Sequence, residues 1–193
     1  MSPILGIWAS QNYTRYSLPT SYESIATTTV GSGGSATVTF SSIPSTYTHL
    51  QIRAIVRSTY TSSVTTGTGT IRFNSDTGNN YAWHQLRTSG ASVGAAASST
   101  TSSGVAFSDI GGTSVSSFFG AGIVDILDYA NTNKYKTVRV LTGSDGNTTN
   151  DDWLYLGSSL WQSTNAITSI TLTPSTNNYA QYSHFALYGI KGD

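Results

Sequence analysis

Alternating apolar and polar residues recur along the chain from Tyr22 onward. Every second residue is apolar in Ser35–Phe40, and the same alternation extends through Thr48–Arg57. Successive side chains of a β-strand point to opposite faces, so this pattern predicts strands with one buried face. The further candidate strands are Thr70–Phe73, Tyr81–Arg87, Ser117–Tyr129, Tyr135–Thr142, Leu154–Leu160, Ala166–Thr173 and Tyr182–Ile190.

Turn residues separate these candidate strands, and no window shows helical spacing. The run Gly31–Gly34 is typical of a hairpin turn, and Pro44 interrupts the next connection. The Gly-, Ser- and Thr-rich stretch Thr88–Gly104 is predicted to be a long loop. About ten strands joined by polar turns predict an all-β, two-sheet antiparallel sandwich, for which the eight-stranded jelly roll best fits the strand count and size.

Residues 1–20 differ from the rest of the chain. They begin with a short apolar cluster and continue with polar and aromatic residues. We interpret this segment as an extended docking arm, followed by a single sandwich domain at 21–193. A first strand of the domain is the alternative interpretation. The apolar side chains that would anchor the arm are Ile4, Leu5, Ile7 and Trp8.

Composition excludes several classes of protein. Charged residues make up 9% of the chain, with nine basic and nine acidic residues, against about 25% in a typical globular protein. Without clustered Lys and Arg, no nucleic-acid partner is expected. No run of about 18 apolar residues occurs, so no membrane insertion is expected. The polarity comes instead from Ser and Thr, and the apolar fraction of 37% is enough to build a core.

The chain offers few residues for catalysis. Glu23 is the only Glu, and most of the Asp residues stand in turn contexts. His49, His84 and His184 are too far apart in sequence for a compact metal motif, Cys is absent, and no G-x-S-x-G motif occurs. We therefore predict a protein that is not an enzyme, with no catalytic residues and no cofactor.

The loop Ser144–Asp152 is the best candidate for a metal site. Its oxygen-bearing side chains are of the type that binds Ca²⁺. It lacks the ligand spacing and the terminal Glu of an EF-hand loop. A solvent-exposed hairpin loop is therefore the preferred interpretation, and no metal is predicted.

Aromatic side chains suggest a binding function. Tyr60, Trp153 and Tyr179 are predicted on or near loops, where their rings would stack against the sugars of a glycan. Packing in the core or against another subunit explains such residues equally well.

Several short phrases spread along nearly the whole chain carry a family resemblance. They are Gly6-Ile7-Trp8-Ala9-Ser10, Tyr22-Glu23-Ser24-Ile25-Ala26, Ser41-Ser42-Ile43-Pro44-Ser45-Thr46-Tyr47-Thr48-His49-Leu50, Ile71-Arg72-Phe73-Asn74, Asn80-Tyr81-Ala82, Ile167-Thr168-Ser169-Ile170-Thr171-Leu172 and Ala186-Leu187-Tyr188-Gly189-Ile190-Lys191-Gly192. Together they resemble a family of small virion proteins of tailed bacteriophages. The likeness is structural, with no catalytic signature.

This resemblance implies a non-enzymatic component of the virion. Members of the family resemble head decoration or cement proteins, head fibres or short tail fibres. The expected partners are further copies of the chain, as a homotrimer, and other virion proteins, above all the major capsid protein. The Gly6–Ser10 phrase is expected to anchor the chain to the particle. The alternative is a short tail-fibre or head-fibre protein that recognises host-surface glycan.

Overall fold

The computed structural model describes residues 21–61, 68–107, 111–147 and 152–192. Within these ranges the chain forms β-strands, turns and irregular segments, without a helix. The strands are β1 (Tyr22–Thr29), β2 (Val38–Phe40), β3 (His49–Val56), β4 (Gly69–Phe73), β5 (Tyr81–Ser89), β6 (Ser92–Thr101), β7 (Val105–Phe107), β8 (Gly120–Leu127), β9 (Lys136–Ser144), β10 (Trp153–Trp161), β11 (Ile170–Thr173) and β12 (His184–Ile190).

The strands form two antiparallel sheets. The larger has eight strands in the order β1-β12-β3-β8-β9-β10-β5-β6, and the smaller has four in the order β2-β11-β4-β7. Their paired registers are antiparallel throughout. The predicted all-β, two-sheet antiparallel sandwich is therefore confirmed.

The core lies between the two sheets and follows the alternation seen in the sequence. On β3, Leu50, Ile52, Ala54 and Val56 are buried while the intervening residues face outward. The smaller sheet contributes the inward side chains of β4 and β11 to the same core. Burial of these apolar side chains is the main contribution to the stability of the fold.

The segment from Thr88 to Gly104 differs from its prediction as a long loop. It contains the end of β5 and all of β6, which form a hairpin around Gly90. β6 consists of Gly, Ala, Ser, Thr and Val residues that are mostly exposed on both faces. Because neither face is buried, the strand lacks the apolar alternation by which the others were recognised.

No helix in the described ranges is long and apolar enough to span a membrane. Residues 1–20, with the predicted arm residues Ile4, Leu5, Ile7 and Trp8, lie outside the described residues.

Candidate interaction surface

A row of aliphatic side chains crosses the outer face of the larger sheet. Its members lie directly opposite one another on five adjacent strands, and all are exposed. We call this row the ridge. From β8 through β9, β10 and β5 to β6, the ridge consists of Ile123, Leu141, Leu156, Leu86 and Ala95.

A second row lies beside the ridge, two residues along each strand. We call it the flanking row: Ala121, Gly143, Leu154, Thr88 and Val93. Its residues on β8 and β9, Ala121 and Gly143, have little or no side chain. A shallow depression of about 240 Å³ therefore opens there between Ile123, Leu141 and Leu154. The large side chains of the two rows are exposed by 37% at Ile123 to 71% at Val93.

Polar residues form the row on the other side of the ridge. Asp125 lies opposite Arg139, which lies opposite Ser158, which in turn lies opposite His84. The Asp125 carboxylate accepts a 2.7 Å hydrogen bond from Gln51 Nε2. A depression of about 380 Å³ separates this row from Leu86 and Leu156.

The part of the outer face formed by β1, β12 and β3 is mostly aromatic and polar, apart from the exposed Ile55, which lies opposite Ala121. The rings of Tyr22 and Tyr188 stack with their centroids 4.7 Å apart, and the Tyr22 hydroxyl donates a 2.6 Å hydrogen bond to Gln51. The guanidinium of Arg53 lies 5.8 Å from the centre of the Tyr22 ring. Burial raises the pKa of Tyr22, and the charge of Arg53 opposes that rise. These contacts hold the side chains of this region in place.

The ridge and the flanking row place apolar groups where an antiparallel sheet normally presents polar ones. A sheet with one face in water alternates between apolar inward and polar outward residues. Here β8, β9 and β10 are apolar on both faces, as in the consecutive pairs Ile123-Val124 and Val140-Leu141. Exposed contiguous apolar patches of this kind are typical of surfaces that bind another molecule.

The three aromatic residues predicted to contact a glycan lie in different environments. Tyr179 is fully buried and its ring packs edge-on against Phe185, with centroids 4.8 Å apart. A side chain without accessible surface does not stack on a sugar, so Tyr179 belongs to the core. The reason is its pairing: the chain at Tyr179 bridges to Ser35 and Ser58, which draws it beneath the surface.

Trp153 and Tyr60 are half-buried. Trp153 begins β10, and the guanidinium of Arg87 lies 5.3 Å from its ring centre. The carbonyl of Tyr60 accepts hydrogen bonds from the backbone and side chain of Thr113. Trp153 lies at the start of β10 in the larger sheet, whereas Tyr60 lies beside the segment that carries Tyr179. The three aromatics therefore do not form one site.

The candidate calcium loop lies only partly within the described residues. At its ends, Asp145 Oδ1 accepts a 3.0 Å bond from the N–H of Asn147, and Asp152 Oδ1 accepts a 2.7 Å bond from the N–H of Gly146. Residues 148–151 lie outside the described ranges. In those ranges no group of three or more His, Asp or Glu residues is placed to hold a metal ion.

His49 and His184 each make a hydrogen bond to a residue that is distant in the sequence. His49 Nδ1 accepts a 3.0 Å bond from the N–H of Asp128, and His184 Nδ1 is 2.9 Å from the Thr29 hydroxyl. These bonds connect neighbouring strands or strand ends. They support a structural role for both residues.

Comparison of the chain with models of protein families, with curated proteins and with solved structures gives no match.

Proposed function

We propose that the chain is a non-enzymatic structural protein of a tailed-bacteriophage virion. It acts as a homo-oligomer, attaches to the particle through residues 1–20, and decorates or stabilises the capsid. The observation that carries the proposal is the exposed apolar surface formed by the ridge and the flanking row. A protein that works within an assembly has other chains available to cover such a surface.

The low charge of the chain supports the same function. The formal net charge is zero, and on the face that bears the ridge the strands β8, β9, β10, β5 and β6 carry only Asp125 and Arg139 as charged residues. Such a surface provides little electrostatic repulsion between copies. The resemblance of the sequence to phage virion proteins indicates that this assembly is a phage particle.

The proposal includes a jelly-roll topology with two inserted hairpins. When the hairpins β5–β6 and β9–β10 are set aside, the remaining strands are ordered β1-β12-β3-β8 and β2-β11-β4-β7. The first strand then pairs with the last, β2 with β11, β3 with β8, and β4 with β7. This nested pairing of early with late strands supports the proposed jelly-roll topology.

The geometry supports glycan recognition less well. Of the three predicted contacts, Tyr179 is in the core and Arg87 lies over the ring of Trp153. Tyr60 remains from that set as a half-exposed aromatic residue. Receptor binding is therefore the less favoured function, and the structural role is preferred.

Co-sedimentation with virus particles tests the attachment. The full chain is expected to sediment with virions stripped of their own copy, and a chain lacking residues 1–10 is expected to stay in the supernatant while keeping its β-sheet circular dichroism spectrum. If the shortened chain binds as well as the full one, the arm is not the anchor. If neither the full chain nor the shortened chain binds, the proposed attachment to the virion fails.

A further inference from the structure

We propose that a second copy of the chain packs on the ridge and flanking row, related to the first by a two-fold axis that runs parallel to these rows and midway between them. The inference rests on the proposed function, because it names the partner and the surface of the homo-oligomer. It concerns one face only and is independent of residues 1–20.

The side chains of the two rows complement one another strand by strand. On β8 the ridge residue is Ile123 and the flanking residue is Ala121, and on β9 they are Leu141 and Gly143. On β6 the order is reversed, with Ala95 in the ridge and Val93 in the flanking row. Each of these three strands therefore presents one large and one small side chain to the outside.

A two-fold axis can place the large side chains of one copy over the small side chains of the other. The rows are two residues apart, which is about 6.7 Å along a strand. The proposed axis is parallel to the rows, midway between them, and lies in the plane between the two stacked sheets. Rotation about it places the ridge of one copy over the flanking row of the other. It places Ile123 over the partner's Ala121, and Leu141 over the partner's Gly143. Identical patches that fit one another in this way are the basis of two-fold dimers.

The same rotation places large side chains against each other in the middle of the patch. On β10, Leu156 of one copy meets Leu154 of the partner, and both side chains are about half exposed in the single chain. Sheets packed face to face lie about 10 Å apart with interdigitated side chains, a spacing that suits Leu against Leu.

The polar row on the other side of the ridge is not suited to face the ridge of a partner copy. Packing the partner's ridge there would remove Asp125 and Arg139 from water. Burying charged groups costs free energy unless each gains a compensating partner. Pairing through the flanking row leaves both residues at the rim, where interfaces are usually polar.

The size of the patch fits an interface between copies. Six half-exposed aliphatic side chains make an apolar surface of roughly 500 Å², which is near the upper end of what a monomer exposes. A standard interface buries about 800 Å² on each partner. The patch therefore forms the apolar centre of such an interface, with the surrounding polar residues as its rim.

Sedimentation equilibrium of the full chain gives the first test. We expect a species of twice the chain mass of 20.4 kDa. A monomer at every concentration up to about 100 µM, where even weak pairs with a dissociation constant in the micromolar range associate, would overturn the proposal. A species of three chains would overturn the two-fold pairing and favour the three-fold oligomer expected from the resemblance.

Charge substitutions on β10 test the register of the pair. We expect Leu156→Asp and Leu154→Lys each to weaken dimerisation about a hundredfold or more, because each dimer then buries two unpaired charges. An equimolar mixture of the two variants is expected to regain dimers, since an introduced Asp faces an introduced Lys. A mixture that stays monomeric would overturn the proposed register.

The matched control is Tyr135→Asp, which places the same charge at an apolar position about half exposed and outside both rows. It is expected to dimerise like the unchanged chain. Circular dichroism of all three variants separates lost pairing from lost folding. If the control also becomes monomeric while folded, the effect is not specific to the patch and the proposal fails.

Two further outcomes separate this inference from the alternatives. If the full chain is monomeric but a chain lacking residues 1–20 dimerises, then that segment covers the patch and the proposal is overturned. If the chain dimerises through the patch but does not bind virions, the interface stands and the proposed virion role fails.

Discussion

The indole Nε1 of Trp161 donates a 2.7 Å hydrogen bond to the carboxylate of Asp76, 85 positions earlier in the chain. Trp161 ends β10 in the larger sheet, and Asp76 lies in the turn after β4 in the smaller sheet. The carboxylate also accepts bonds from the N–H of Gly78 and from Asn80 Nδ2. One side chain thus shapes a turn and joins the two sheets.

Replacing Asp76 with Ala is expected to lower the free energy of unfolding by about 2–3 kcal/mol, because a buried indole N–H loses its acceptor and the turn loses its hydrogen bonds. Urea denaturation followed by tryptophan fluorescence measures this change. The control Asp145→Ala removes an exposed carboxylate whose one bond within the described residues comes from the N–H of Asn147, and is expected to cost less than about 1 kcal/mol. Equal effects of the two variants would contradict the role of Asp76.

Acid should destabilise the fold in part through two carboxylates. Burial by itself would raise the pKa of Asp76, but hydrogen bonds from Trp161 and Asn80 outweigh burial and lower the pKa below its ordinary 3.8. A hydrogen bond from Lys134 lowers the pKa of Asp128 from the same ordinary value. A lowered pKa in the folded state stabilises the fold above the ordinary value, and this contribution is lost as pH falls through the folded value.

The free energy of unfolding is therefore expected to fall over the interval below about pH 4, measured by urea titration at each pH. The variant Asp76→Asn should lose less stability over that interval than the unchanged chain. Parallel curves for the two proteins would show that Asp76 does not contribute to the pH dependence.

Replacing Tyr179 with Phe is expected to raise the free energy of unfolding by about 1 kcal/mol. Its hydroxyl is buried and has no hydrogen-bond partner among the described residues, and burial strongly raises its pKa. The matched control is Tyr81→Phe. The Tyr81 hydroxyl accepts a bond from the N–H of Phe73 and donates one to the Asp76 carbonyl, so its loss should destabilise by about 1 kcal/mol. Thermal melts measure both, and destabilisation by Tyr179→Phe would contradict this account.

Lys136 is a fully buried charge held by backbone oxygens. Its Nζ donates to the carbonyls of Asn131, Lys134 and Thr164 at 2.6, 2.9 and 3.2 Å. Burial lowers the pKa of Lys136, and the charge of Asp128 opposes that effect. Replacement by Met keeps the length of the side chain but removes its donors.

We expect Lys136→Met to lower the free energy of unfolding by about 3 kcal/mol, since three carbonyls lose a charged donor. Chemical denaturation provides the measurement. The exposed Lys134→Met is the control, with an expected loss below about 1 kcal/mol. A Lys136→Met protein as stable as the control would show that water replaces the ammonium group at no cost.

The sequence predicted most of the sandwich because burial of one face leaves a period of two. The predicted strand Thr48–Arg57 corresponds to β3, and Leu154–Leu160 lies within β10. β6 escaped prediction for a physical reason: a strand of small residues exposed on both faces has no apolar period. Its pairing with β5 depends on backbone hydrogen bonds, which the side-chain pattern does not record.

The candidate surface was only partly visible in the sequence. Adjacent apolar residues such as Ile123-Val124 and Val140-Leu141 carried a signal, because they make both faces of a strand apolar. The ridge itself depends on the order of β8, β9, β10, β5 and β6, which alternation along a single strand does not determine. Tyr179 shows the reverse case, since its turn-like surroundings predicted exposure and its bridges to Ser35 and Ser58 bury it.

Immunogold electron microscopy of purified virions tests the central claim most directly, with antibody raised against the chain and virions of the phage that encodes it. The account predicts gold particles spread over the capsid. Gold confined to the tail would contradict capsid decoration and favour the receptor-binding alternative, and virions without gold would contradict a role in the particle.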